Sequence, residues 1–216
     1  KVIDIYNSFD IDQSGSIDIY EWTRGFKLKH LSQVVNQCKE KGTLYHSQLT
    51  HEEQELLSTL IARLDKIISF AHSLGVRVMI DAEQTYYQHA IDNLTTNLQK
   101  KYNTSYPTVF ATYQTYLKDS SKKIEQHLKR AKLENYIFAC KIVRGAYMVA
   151  ERKRAIDKQY SDPIHDTYQD TNTNFNNVLT SLLTLKKQGQ AIELLIASHN
   201  QQSIEKAIDV INQQQL

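Results

Sequence analysis

Tyr136-Ile137-Phe138-Ala139-Cys140-Lys141-Ile142-Val143-Arg144-Gly145-Ala146-Tyr147 is the stretch that decides how this chain reads. Its first eight residues form a β-rich, nearly continuous apolar run, as a strand covered on both faces requires. Gly145 stops the run, and a helical pattern follows over 149–158. The same unit recurs outward in both directions. The run Val76-Arg77-Val78-Met79-Ile80-Asp81 precedes a helical segment over 87–101. Pro107 introduces Thr108-Val109-Phe110-Ala111-Thr112-Tyr113, and a helix over 120–133 follows with Ile124, Leu128 and Ala131 on one face. After a helix over 171–187 comes Glu193-Leu194-Leu195-Ile196-Ala197-Ser198, and then a last helix with Ser203 as its cap and Ala207, Ile208 and Ile211 inward. Strand–helix alternation of this kind predicts an α/β fold with a parallel sheet.

Four units occupy about 140 of the 216 residues, whereas a full (β/α)8 barrel takes about 250. The choice is therefore a small open sheet or a partial barrel of four central strands. Six glycines supply no G-x-G-x-x-G anywhere, which disfavours a dinucleotide-binding open sheet and favours the partial (β/α)8 TIM barrel. The sequence divides into 1–29, a polar linker over 30–52, and the barrel segment over 53–216. Thr50 and Glu53 form a capping-box pattern ahead of a helix carrying Leu56, Leu57, Leu60, Ile61, Leu64, Ile67, Ile68, Ala71 and Leu74, which Gly75 ends.

Composition removes several classes. Lys plus Arg number 26 against 24 Asp plus Glu, a net charge of +2, so no basic field supports nucleic-acid binding. Two cysteines, Cys38 and Cys140, do not make a disulfide scaffold. No apolar run approaches the roughly 20 residues of a membrane span. G-x-S-x-G, C-x-x-C and H-E-x-x-H are all missing, so nothing points to serine, thiol or zinc chemistry. The chain starts at Lys1 and ends at Leu216 with no capping residue after its last helix, and is expected to be a segment of a longer protein.

The first segment carries Asp10-Ile11-Asp12-Gln13-Ser14-Gly15-Ser16-Ile17-Asp18-Ile19-Tyr20-Glu21, which fits the EF-hand loop at each diagnostic position. Asp10, Asp12, Ser14, Ser16 (through its carbonyl), Asp18 and Glu21 are the expected Ca2+ ligands, and Gly15 permits the turn at position six. Val2, Ile5, Tyr6 and Phe9 line the entering helix, and Trp22, Phe26 and Leu28 the exiting one. A solvated acidic turn is the plainer alternative, and no second loop is present to pair with this one.

In parallel α/β folds ligands sit at the carboxyl ends of the strands. Those ends hold Asp81, Gln114, Lys141, Arg144, Tyr147, Ser198 and His199. Taken singly, Asp81 could cap a helix, His199 could be a capping or core histidine, and Lys141 and Arg144 could be surface cations. Together they suit an anionic, hydrogen-bonding ligand such as a phosphate-bearing cofactor. Cys140 reads as packing.

The blocks at 76–87 (VRVMIDAEQTYY), 112–119 (TYQTYLKD), 141–155 (KIVRGAYMVAERKRA), 162–168 (DPIHDTY) and 196–200 (IASHN) resemble the eukaryotic proline dehydrogenase (proline oxidase) family. The blocks fall in order across about 145 residues. The resemblance implies a distorted (β/α)8 barrel that binds FAD and oxidises L-proline to Δ1-pyrroline-5-carboxylate. It also implies a mitochondrial, matrix-side location, electrons passed to quinone, and peripheral contact with the inner membrane. By position it implies that Gln114, Lys141, Val143, Arg144, Gly145 and Ala146 lie along the flavin. Ser198 and His199 would lie near its phosphate and ribitol end, and Thr167 and Tyr168 near the adenosine. Asp81 and Tyr147 would stand in the active site. Bacterial relatives have Arg where Lys141 stands and Lys where Arg144 stands, which moves the bidentate fork. The family's substrate-carboxylate arginine pair and its first strands have no counterpart here, so the chain alone is expected to be inactive. Hydroxyproline dehydrogenase, and a non-catalytic calcium-regulated module, remain as alternatives.

Overall fold

The computed structural model describes residues 2–10, 13–17, 21–22, 42–46 and 48–216. The chain forms two compact units, 1–64 and 65–216.

In the first unit α1 is Val2–Phe9 and a single helical turn, α2, spans Thr43–His46. Between them Asp10 opens the acidic loop. Its Oδ1 accepts from Ser14 N and its Oδ2 from Gly15 N, both at 2.9 Å. Gly15 has φ +78°, the left-handed value the sequence assigns to it. Phe9 and Trp22 bring their ring centroids to 5.8 Å. Asp12, Asp18, Phe26, Leu28 and most of the linker lie outside the described residues. Helix α3, His51–Ser73, runs through the boundary at 64. Its capping box is real: Glu53 N donates to Thr50 Oγ1 at 3.2 Å and Thr50 N to Glu53 Oε2 at 2.7 Å. Ile68 and Ala71 are buried, while Leu56, Leu60, Ile61, Ile67 and Leu74 stay exposed.

The second unit continues with β1 (Val78–Ile80), α4 (Thr85–Tyr102), β2 (Val109–Gln114), α5 (Ser120–Glu134), β3 (Phe138–Val143), α6 (Met148–Lys158), α7 (Tyr168–Lys187), β4 (Ile192–Ile196) and α8 (Gln201–Gln214). The four strands pair in parallel and in sequence order, β1-β2-β3-β4. Consecutive parallel neighbours without a reversal of order are how a barrel is built, and a doubly wound sheet would reverse. Alternation sorts the side chains. Ala111, Tyr113, Phe138, Cys140 and Ile142 join Ile124, Ala131, Phe175, Leu179 and Leu182 in the core between sheet and helices. Thr112, Gln114, Lys141 and Val143 therefore share the opposite face, with Thr112 beside Lys141 and Gln114 beside Val143.

Two expectations about α8 change. Its N-cap is Asn200, whose Oδ1 accepts from Ser203 N at 3.0 Å. Ser203 lies one turn further in, because its hydroxyl is drawn to an arginine of β3's exit. Ala207 is buried and Ile211 packs on the core, but Ile208 is 52% exposed. The strand core ends one residue later in β2 than the pattern predicts, so Gln114 belongs to the strand itself.

Candidate active site at the strand ends

The carboxyl ends of β1, β2 and β3 converge through their own side chains. Lys141 Nζ pairs with Asp81 Oδ1 across the sheet. Lys141 is on the face away from the helices because β3 alternates, and Asp81 directly follows β1. Asp81 does not cap α4; Gln84 occupies the N-cap. Gln114, buried at 4% exposure, bridges both neighbouring loops. Its Nε2 donates to Glu83 O at 2.8 Å, and its Oε1 accepts from Ala146 N at 3.3 Å. Val143 O accepts from Thr115 N at 2.8 Å and from Thr115 Oγ1 at 3.0 Å, which binds the exits of β2 and β3 together.

Gly145 has φ +150°, and a Cβ there would enter the ring of Tyr116. Tyr116 is buried, and its OH accepts from Tyr147 N at 3.3 Å. Burial pushes its phenol up to about 12, so it stays protonated. The hydrogen bond from Tyr147 to Glu83, helped by desolvation, raises the Tyr147 phenol. Arg144 stacks its guanidinium 4.4 Å from the centre of the Phe175 ring. Its Nε donates to Asn172 Oδ1 at 3.0 Å, one Nη to Ser198 Oγ and the other to Ser203 Oγ at 2.9 Å. Arg144 thus ties β3 to α7 and to both sides of the β4–α8 turn.

Beside these loops lies a cavity of about 700 Å³ lined by Arg144, Gly145, Ala146, Tyr147, Thr167 and Tyr168 among others. Arg152 and Lys153 also face it, as does Asp166, which is paired with Lys118 at 2.8 Å. Thr167 caps α7 in a reciprocal capping box with Asp170. Tyr168 OH accepts from Asn200 Nδ2 at 3.3 Å. The structure therefore brings together Asp81, Gln114, Lys141, Arg144, Gly145, Ala146, Tyr147 and Ser198, with Thr167 and Tyr168 at the cavity's far wall. His199 is exposed and takes no part in these hydrogen bonds.

A family model described as proline dehydrogenase matches residues 8–216. The chain belongs to the proline dehydrogenase family. It is 35% identical over 213 residues to human mitochondrial proline dehydrogenase 1, covering 96% of this chain and 35% of that protein. It is 38% identical over 163 residues to Xenopus laevis hydroxyproline dehydrogenase, covering 75% of this chain and 35% of the relative. The chain thus spans about a third of the length of the curated relatives it matches. Among solved structures, proline utilization A from Bdellovibrio bacteriovorus, inactivated by N-propargylglycine, superposes with a TM-score of 0.68 at 20% identity. The overlap covers 88% of this chain and 22% of that one, and it shows the barrel fold of proline dehydrogenase.

Glu83, Tyr116 and Glu151 make contacts of the site that the sequence alone does not assign. All lie inside the quoted motifs, which is the signal that could have marked them. Of the metal loop, Asp10, Ser14, Ser16 and Glu21 are described, and Asp12 and Asp18 lie outside the described residues. Among the described residues no group of three or more His, Cys, Asp or Glu is placed to hold a metal ion, and no helix is long and apolar enough to cross a membrane.

Proposed function

We propose that this chain supplies central strands of the catalytic barrel of a mitochondrial, FAD-dependent L-proline dehydrogenase. The observation that carries the reading is the Asp81–Lys141 pair beside the Gln114 bridge, at the strand ends of a proline dehydrogenase barrel. The donor set fits FAD. The cavity is walled by Arg144, Arg152 and Lys153, by the glycine backbone at 145 and by the N-terminal turn of α7, which together favour a long anionic ligand. Arg144, Gly145, Ala146, Tyr147, Thr167 and Tyr168 would hold it, with Gln114, Lys141 and Val143 along the ring, and Ser198 and His199 toward the phosphates.

FAD, when bound, supplies the acceptor for hydride from the proline carbon next to nitrogen, and electrons leave to quinone. The chain's own residues do the rest. Lys141, its ammonium group held by Asp81, would supply positive charge beside a bound flavin, whose reduction adds negative charge. Gln114 holds the two strand-end loops at a constant separation. Tyr147 lines the cavity, its backbone N–H held by the buried Tyr116 hydroxyl. Quinone access implies peripheral contact with the inner membrane on the matrix side.

Expressed as its full gene product, the protein should show flavin absorbance that L-proline bleaches without oxygen. Lys141→Met should slow that bleaching at least roughly a hundredfold while flavin stays bound. A colourless protein, or bleaching unchanged in the variant, refutes the reading. The likeness to hydroxyproline dehydrogenase favours one alternative substrate, so trans-4-hydroxy-L-proline belongs beside L-proline in the assay.

A second reading concerns the acidic loop. Asp10 receives the Ser14 and Gly15 amides as an EF-hand's first ligand does, and we propose that the loop takes Ca2+ through Asp10, Asp12, Ser14, Ser16, Asp18 and Glu21. Calorimetric titration of the protein should give one site that Glu21→Ala removes. No heat, and no change in Trp22 fluorescence, would refute it.

A further inference from the structure

Glu151 is completely buried, 0% exposed, on the first turn of α6. Its Oε1 accepts from Thr85 N at 2.5 Å and its Oε2 from Thr85 Oγ1 at 2.8 Å. Among the described residues no Lys, Arg or His pairs with it. A buried carboxylate without a cation is costly unless hydrogen bonds and dipoles replace water. Here two helix N-termini do so. Glu151 sits at the start of its own helix, and it also caps α4, whose N-cap Gln84 offers no side-chain bond.

The link joins two loops that carry the site. Asp81 to Gln84 lie between β1 and Thr85, and Arg144 to Tyr147 lie between β3 and α6. Strand β1 is only three residues long, and among the described residues β2 alone pairs with it. So the sheet fixes Asp81 weakly from one side, and the Thr85 anchor fixes it from the other. Gln114 ties the same two loops through Glu83 O and Ala146 N.

We propose that Glu151 is a positioning residue of the reaction: it staples the β1–α4 loop to α6 and thereby sets Asp81 against Lys141 and Glu83 O against Gln114. The proposal rests on the proline dehydrogenase reading for its effect on turnover, though the staple itself does not. The carboxylate is needed for reach and for two acceptors, so the amide should be a partial substitute. Its oxygen can still accept from Thr85 N, and its NH2 can donate to Thr85 Oγ1.

The test compares Glu151→Ala, Glu151→Gln and Thr85→Val in the full gene product, by hydrogen–deuterium exchange and by steady-state kinetics with L-proline. In Glu151→Ala, exchange over 81–88 and 144–150 should quicken roughly tenfold to a hundredfold, with β2 and β3 unchanged. The rate kcat should fall about tenfold or more, with KM for proline within about threefold. Glu151→Gln should recover most of both, and Thr85→Val should fall between. Exchange in 81–88 that does not respond to any of the three variants overturns the staple. A kcat that falls only in step with the folded fraction, or equally in Ala and Gln, overturns the positioning role. If the parent protein does not oxidise proline, the functional reading fails, while the exchange data still decide the staple.

Discussion

Gly145→Ala is the substitution whose cost can be worked most directly from the geometry. A Cβ at Gly145 would stand 2.5 Å from Tyr116 Cγ and closer still to two other ring carbons. The ring has nowhere to go. Tyr116 is 4% exposed and packs with Leu117 and Ile164. Its backbone is pinned on both sides, with Tyr116 N donating to Arg144 O at 2.7 Å and His165 N donating to Tyr116 O at 2.9 Å. The new methyl also meets φ +150°, a region that side chains other than glycine's avoid. Backbone strain of about 1–3 kcal/mol and overpacking of about 1–3 kcal/mol sum to about 4 kcal/mol. That is a large share of the roughly 5–15 kcal/mol stabilising an ordinary domain. Urea unfolding followed by circular dichroism measures it. A cycle with Tyr116→Ala separates the two terms, because removing the ring relieves the overlap and leaves the strain. The double variant should therefore be more stable than the sum of the singles predicts, by about 2 kcal/mol. A Gly145→Ala loss under about 0.5 kcal/mol, or a cycle that is simply additive, would refute the argument.

Three other consequences follow from buried polar groups. His127 Nδ1 lies 2.7 Å from Tyr113 OH, and burial, opposed by Asp92 and aided by Lys123 and Arg130, lowers its imidazole to about 4. The unfolded chain binds that proton near pH 6.5 and the folded chain does not, so acid should remove up to about 3 kcal/mol between pH 6.5 and 4, a dependence that His127→Gln should flatten in pH-dependent urea melts. Asn103, 0% exposed, exchanges 2.8 Å bonds with Val109 N and Val109 O, so Asn103→Ala should cost about 2–3 kcal/mol by orphaning a buried amide; a loss below about 1 kcal/mol counts against that role. Arg144→Lys keeps the charge but loses the fork over Phe175, and should lower stability by about 2 kcal/mol in thermal unfolding, whereas an unchanged midpoint would show that the fork is dispensable.

What could be read from the sequence, and what could not, divides along one physical line. Strands covered on both faces are apolar along most of their length, so β3 declares itself by Phe138-Ala139-Cys140 and Ile142-Val143, and Lys141 stands out within it. Helices with one covered stripe declare their period, as Ile124, Leu128 and Ala131 do. The stripe does not say how much of it is covered, which is why the period points Ile208 inward although it is exposed. Buried polar groups declare nothing, because their identity suits the surface equally well. Gln99 and Asn103 sit near the end of α4 and look like solvated amides, yet they clamp the backbones of β2 and β3, with Gln99 Nε2 reaching Ala139 O at 2.6 Å. Ser203 looks like a cap and instead receives Arg144. Glu151 stands in Ala-Glu-Arg-Lys-Arg, where a charged run reads as an exposed face, yet it has no access to solvent. Such groups are legible only when their partners are known, and the partners here lie on other elements, up to 66 residues away. The site inherits this property. Asp81, Gln114, Lys141 and Arg144 could be picked out because each lies in or just after the carboxyl half of a recognisable strand, while the residues that hold them in register belong to helix starts and loops with no periodicity of their own. A strand-end site of this kind is therefore specified twice: once by patterns that local sequence reveals, and once by long-range polar contacts that only the folded chain displays.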